Sequence, residues 1–131
     1  NLNAKRDWGY AGDYVKTMWL MLQQKKPNDF VISTGISKSV RQFVEEAYKC
    51  IGINIIWKGK GLKEIGINKK NNKILIKIDK YYFRPTEVHE LRGDSTKAKR
   101  ILKWKPQTTF KELVKMMVNK DIEKIKLFNK N

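Results

Sequence analysis

The sequence predicts a mixed α/β fold, and three observations carry that reading. Apolar residues recur at helical spacing in several separate stretches. Short runs rich in Ile and Val, bounded by Gly, Asn and Ser, lie between them. A chain of 131 residues with 40% hydrophobic content and four Trp can bury about two-thirds of its unfolded surface, so residues 1–131 read as one domain.

Taken in order, Gly12-Asp13 offers a helix N-cap, and Tyr14, Val15, Met18, Trp19 and Leu22 follow at helical spacing. Leu20 and Met21 widen the stripe, which predicts a helix covered on more than one side. Lys26-Pro27-Asn28 ends it, and Phe30-Val31-Ile32 reads as a short apolar strand running into Ser33-Thr34-Gly35. A second helix starts near Ser37 or Ser39, places Val40, Phe43, Val44, Ala47 and Ile51 on one face, and closes at Gly52. Residues 53–57 read as a strand, and residues 63–68 and 74–78 as a hairpin turning through Asn71-Asn72, with Ile74, Ile76 and Ile78 on one face. A third helix runs over residues 95–102 behind Asp94 and breaks at Trp104-Lys105-Pro106. Thr109 and Glu112 form a capping box for a last helix, with Phe110, Leu113, Val114, Met117, Val118, Ile122 and Ile125 as its apolar stripe.

Composition narrows the function. The net charge of +16 invites a nucleic-acid partner. Of 29 basic residues, however, five are Arg (Arg6, Arg41, Arg84, Arg92 and Arg100), and Arg is the side chain that reads bases and stacks on them. The Lys residues are scattered among Asn and Ile along the whole chain, which predicts weak polyanion adhesion at low salt and no specific nucleic-acid partner. No apolar run approaches the roughly 18 residues that span a bilayer, so no membrane partner is expected. One cysteine, Cys50, excludes an internal disulfide and fits a reducing, cytoplasmic compartment. It falls on the apolar side of its helix and reads as core. The chain opens at Asn1, directly into patterned sequence, and reads as a fragment or processed product.

Conventional catalytic constellations do not form. With His89 as the single histidine, neither a His-based metal cluster nor a nucleophile triad can be assembled. Gly59-Lys60-Gly61 begins like a dinucleotide fingerprint, but position 64 is Glu64 and the strand-to-helix setting is missing. Glu45 and Glu46, adjacent on a helix, read as a solvated face.

Two clusters carry suggestive chemistry. Tyr81-Tyr82-Phe83-Arg84-Pro85-Thr86-Glu87-Val88 places a guanidinium three positions before a carboxylate. Arginine grips phosphate oxygens bidentately and glutamate accepts sugar hydroxyls, which suits a sugar nucleotide; a structured loop alone would also account for the segment. Lys5-Arg6-Asp7-Trp8-Gly9 can present Arg6 to a phosphate while Asp7 or Trp8 fixes the loop, or can form a surface ion pair at a helix start.

These clusters belong to an ordered series: Arg6-Asp7-Trp8-Gly9, Asp13-Tyr14-Val15, Met18-Trp19-Leu20-Met21-Leu22-Gln23, Asp29-Phe30-Val31-Ile32, Thr34-Gly35 and Ser39-Val40-Arg41. Tyr82 to Val88, Gly93-Asp94, Thr96-Lys97-Ala98-Lys99 and Trp104-Lys105-Pro106 continue it. The series closely resembles the C-terminal part of the GDP-mannose 4,6-dehydratase family of extended short-chain dehydrogenases/reductases, from Asn1 to about Asp121. The resemblance implies a C-terminal mixed α/β substrate domain, one orphan strand of the Rossmann sheet at residues 30–32, and an absent N-terminal Rossmann core. It implies that Arg6 and Arg84 hold the nucleotide diphosphate and Glu87 the ribose hydroxyls.

The implied reaction of the intact enzyme, a lyase, converts GDP-mannose to GDP-4-keto-6-deoxymannose: oxidation at C4 with NADP, loss of water across C5 and C6, and hydride return to C6. NADP would sit on the missing N-terminal portion, and the intact enzyme would be a homo-oligomer, a dimer or tetramer. None of Tyr10, Tyr14, Tyr48, Tyr81 and Tyr82 has a Lys four positions on, so the Tyr-x-x-x-Lys pair of the family is not in this chain, which is expected to be inactive alone. His89 stands where the family has Asp, and Tyr10 where His is common. A basic polyanion-binding module and an inert fragment without nucleotide affinity are the alternatives.

Overall fold

The computed structural model describes residues 1–84 and 86–129. In chain order the elements are β1 (Lys5–Asp7), α1 (Ala11–Leu22), β2 (Ser37–Ser39), α2 (Val40–Lys49), β3 (Ile55–Lys58), a 3-10 turn (Gly61–Lys63), β4 (Ile65–Asn68), β5 (Ile74–Lys77), β6 (Glu90–Leu91), α3 (Thr96–Leu102) and α4 (Phe110–Phe128). They form two three-stranded sheets, ordered β2-β1-β6 and β3-β4-β5.

The second sheet is a local antiparallel meander. β3 faces β4 with Ile55 opposite Asn68 and Trp57 opposite Gly66, and β4 faces β5 with a register irregularity between Gly66 and Ile67. Gly66 fits closely there: a Cβ would lie 3.0 Å from Trp57 Cζ3 and 3.1 Å from Ile76 Cβ, so its neighbours would have to give by a few tenths of an ångström. The β4–β5 connection turns through Asn72 at φ 57°, the left-handed region that asparagine tolerates. The first sheet is different in kind. β1 pairs antiparallel with β2, and parallel with β6 through Lys5 opposite Glu90 and Arg6 opposite Leu91. Ser37-Lys38-Ser39 has no apolar alternation, so this strand is invisible to periodicity and exists because β1 pairs with it.

Two helices begin as the residues dictate. Thr109 and Glu112 form the expected capping box of α4, and Ser39 and Gln42 form one for α2. α3 starts with Asp94 Oδ1 accepting from the Thr96 amide at 2.9 Å. Gly52, at φ 76°, follows the end of α2.

Three expectations require correction. Asp13 is not the cap of α1, which starts at Ala11 after Tyr10. It is buried in the first turn, where its carboxylate accepts from the amides of Gln107 (3.0 Å) and Thr108 (2.9 Å), while its carbonyl accepts from Trp104 Nε1 (3.1 Å). The α1 stripe also faces outward. Val15, Met18, Trp19 and Leu22 are 60–81% exposed, while Asp13 and Thr17 are buried and Tyr14, Leu20 and Met21 pack on the core of Ala98, Leu102 and Trp104. Periodicity locates an apolar face without saying what covers it. Residues 30–32 join no ladder among the described residues, as an orphan strand without its sheet would, and Phe30 and Ile32 pack against that core. Cys50 is exposed, because it falls at the C-cap of α2, past the face that packs.

Candidate functional site

The chain brings Arg6 and Glu87 together across 81 residues. Arg6 lies on β1, and its Nη2 donates to Glu87 Oε1 at 2.6 Å. Its Nη1 donates to the carbonyls of Val88 (3.0 Å) and Lys5 (2.7 Å). Both side chains are half-buried, with 27% and 20% of their surfaces exposed. The β1–β6 ladder makes this meeting possible: the Lys5 amide donates to the His89 carbonyl at 2.7 Å, which fixes the segment after Glu87 beside Arg6. Arg84 is exposed, three residues upstream of Glu87. Pro85, between them, lies outside the described residues.

Asp7 builds the frame around this pair. Its Oδ1 accepts from the Thr34 amide (2.9 Å) and the Thr34 hydroxyl (2.5 Å), and its Oδ2 accepts from the amides of Gly35 (2.8 Å) and Gly93 (3.4 Å). One carboxylate thereby ties β1 to the turn at residues 33–35 and to the segment after β6. The charge-assisted bonds cluster four donors on a single side chain, the kind of satisfaction a half-buried carboxylate needs. Trp8 extends the frame: its indole N–H donates to the Lys38 carbonyl at 3.0 Å, and its ring packs at a tilt against Phe43, with centroids 4.8 Å apart. Phe43 in turn meets Phe110 edge-on at 5.9 Å, joining β1, α2 and α4. The loop-fixing role open to Asp7 or Trp8 from sequence is thus shared by both.

A cavity of about 490 Å³ lies beside Arg6 and Asp7 and is lined also by Tyr14, Ser33, Arg92 and Gly93. Burial first, then the carboxylates of Asp7 and Asp13, pushes the Tyr14 phenol above its ordinary value of 10.0, so it stays protonated at neutral pH. Gly9 leaves room for this phenol; a Cβ there would fall 1.8 Å from the Tyr14 hydroxyl. Arg92, a second guanidinium on this cavity, was not singled out in the sequence; its one signal is its place beside Gly93. A second cavity, of about 680 Å³, lies between α2 and α4 and touches Trp8 and Thr34 but none of Arg6, Arg84 and Glu87. Glu45 and Glu46 line it, and Glu45 accepts from Trp57 Nε1 at 2.7 Å, so a solvated face is not their whole account.

Among the described residues no group of three His, Cys, Asp or Glu side chains is placed to hold a metal. For NADP, the glycine-rich candidate at residues 59–61 does not supply a cradle. Gly59 and Gly61 lie between β3 and the 3-10 turn and open no α-helix, so the strand-to-helix turn that holds a dinucleotide pyrophosphate is not formed there.

The family model for GDP-mannose 4,6 dehydratase matches residues 1–117. The chain belongs to the GDP-mannose 4,6 dehydratase family. A GDP-mannose 4,6 dehydratase of Dictyostelium discoideum is 59% identical over 126 residues, which is 96% of this chain and 35% of that protein. The Homo sapiens GDP-mannose 4,6 dehydratase is 54% identical over 94% of this chain and 33% of its own length. The chain therefore spans about a third of the length of the curated relatives it matches, and the match falls on their C-terminal part. A crystal structure of UDP-glucose 4-epimerase from Thermotoga maritima, solved with UDP-glucose, superposes with a TM-score of 0.67 at 22% identity, covering 95% of this chain and 34% of that one. The fold is therefore shared with about a third of that epimerase chain.

Proposed function

We propose that residues 1–131 act as one substrate-holding unit of a GDP-mannose 4,6-dehydratase, in which Arg6 and Arg84 grip the diphosphate of GDP-mannose and Glu87 takes the ribose hydroxyls. The observation that carries this reading is the contact between Arg6 and Glu87. A phosphate-gripping fork and a hydroxyl-accepting carboxylate, far apart in sequence, meet at one point beside a cavity. The β1–β6 ladder holds their main chains side by side, so the two groups are already close before a ligand arrives. Family membership supports the same choice of ligand.

The intact protein is then an NADP-dependent lyase, homo-oligomeric and cytoplasmic, that forms GDP-4-keto-6-deoxymannose. The cofactor and the chemical step belong to the portion of the family's length that this chain does not span. Among the described residues no helix is long and apolar enough to cross a membrane. The isolated chain should bind GDP-mannose without turning it over. Calorimetric titration should show saturable binding that Arg84→Ala abolishes and that survives moderate salt. Affinity that ignores Arg84 and falls steeply with salt would instead mark a polyanion-binding surface.

A further inference from the structure

We propose that the Arg6–Glu87 ion pair selects against bare phosphates, so that a diphosphate gains the site only when it carries a ribose. The proposal rests on the reading above and deepens it. In the free chain the Arg6 fork is already engaged, with Nη2 on Glu87 and Nη1 on two backbone carbonyls. An incoming anion must take Nη2 from Glu87. That exchange replaces one charge-assisted bond with another, but it leaves a carboxylate with 20% of its surface exposed beside a new negative charge.

Inorganic pyrophosphate offers nothing to the displaced carboxylate, being itself an anion. A nucleoside diphosphate carries its own remedy, since the ribose diol supplies two O–H donors to Glu87 while the phosphates occupy Arg6. Opening the pair therefore costs both ligands alike and is offset for one. The main chain at Glu87 stays close to Arg6 when the pair opens, because the Lys5 amide holds the His89 carbonyl two residues later. The carboxylate acts as a competitor for small anions and as a partner for nucleotides. This is discrimination by a repulsive element as much as by an attractive one.

The test is calorimetric titration of the chain, and of Glu87→Gln, with inorganic pyrophosphate and with GDP. Glu87→Gln should bind pyrophosphate about tenfold more tightly, because the competing charge is gone, and GDP no more tightly than before. The preference for GDP over pyrophosphate then falls by about tenfold or more. Pyrophosphate affinity unchanged or weakened by the substitution overturns the proposal. Glu87→Ala, checked with Glu87→Gln for an unaltered thermal melt, must move pyrophosphate binding in the same direction. If GDP binds through Arg6 yet pyrophosphate is indifferent to Glu87, selectivity fails and the nucleotide reading stands. If GDP does not bind the unaltered chain at all, the nucleotide reading fails and this proposal fails with it.

Discussion

The two sheets of this chain are built by opposite means. In the β3-β4-β5 meander each strand pairs with its neighbour in sequence, and the turn at Asn72 sets the register. In the β2-β1-β6 sheet the strands are two or three residues long, and β1 meets a partner from the far half of the chain. Such short ladders contribute little by themselves. Side chains complete them: Asp7 on Thr34, Gly35 and Gly93, Arg6 on Glu87, and Ser37 on Glu90. Backbone repetition builds the meander, whereas individual side chains build the sheet that carries the site. The site region should accordingly be the more fragile to single substitutions.

The sharpest way to break that comparison is to remove one acceptor from each sheet. Asp7→Ala strands half-buried amides at Thr34 and Gly35, and should cost about 3 kcal/mol in urea unfolding. An equal loss from Asn68→Ala in the meander would contradict the contrast. Asn68 Oδ1 accepts from the exposed Lys70 amide, which returns to water, so that change should cost under about 0.5 kcal/mol.

Between these extremes lies the link from α2 to the meander. Arg41 donates to both oxygens of Glu64, at 2.8 and 3.0 Å, with its guanidinium 4.6 Å from the centre of the Trp57 ring. The bond from Arg41 holds the Glu64 carboxyl below its ordinary value of 4.5. Because the folded-state value is the lower one, the stabilisation is fully present above pH 4.5 and is lost as pH falls through the depressed value. Glu64→Gln should cost on the order of 1 kcal/mol at neutral pH. Its thermal melts should converge on those of the unaltered chain as pH falls from 4.5 through the depressed value. A gap that persists undiminished at low pH would contradict the assignment.

The same contrast explains what could be read in advance. α3, α4 with its Thr109 and Glu112 box, and the hairpin through Asn71-Asn72 were all legible, because each rests on residues a few positions apart. β2 and β6 were not, since Ser37-Lys38-Ser39 and Glu90-Leu91 acquire extended pairing only from β1. The outward face of α1 misled the reading for a related reason. Apolar spacing reports that a surface is apolar, and the elements present in the chain decide whether it is covered. At the site, the chemistry of Arg6, Arg84 and Glu87 could be chosen from residue type and motif. The Arg6–Glu87 contact could not, because it depends on the parallel pairing of β1 with β6. Nor could the four-donor role of Asp7, which needs two turns to converge on one carboxylate.

The central claim is that two particular guanidiniums, and not the diffuse positive charge, receive the nucleotide. Side-chain N–H resonances of the five arginines, followed by NMR as GDP is added to the chain at moderate salt, test it most directly. Arg6 and Arg84 should shift together along one saturable curve, with Arg41 and Arg100 unmoved. Shifts spread over the exposed lysines of α4 while Arg6 and Arg84 stay still would contradict the account.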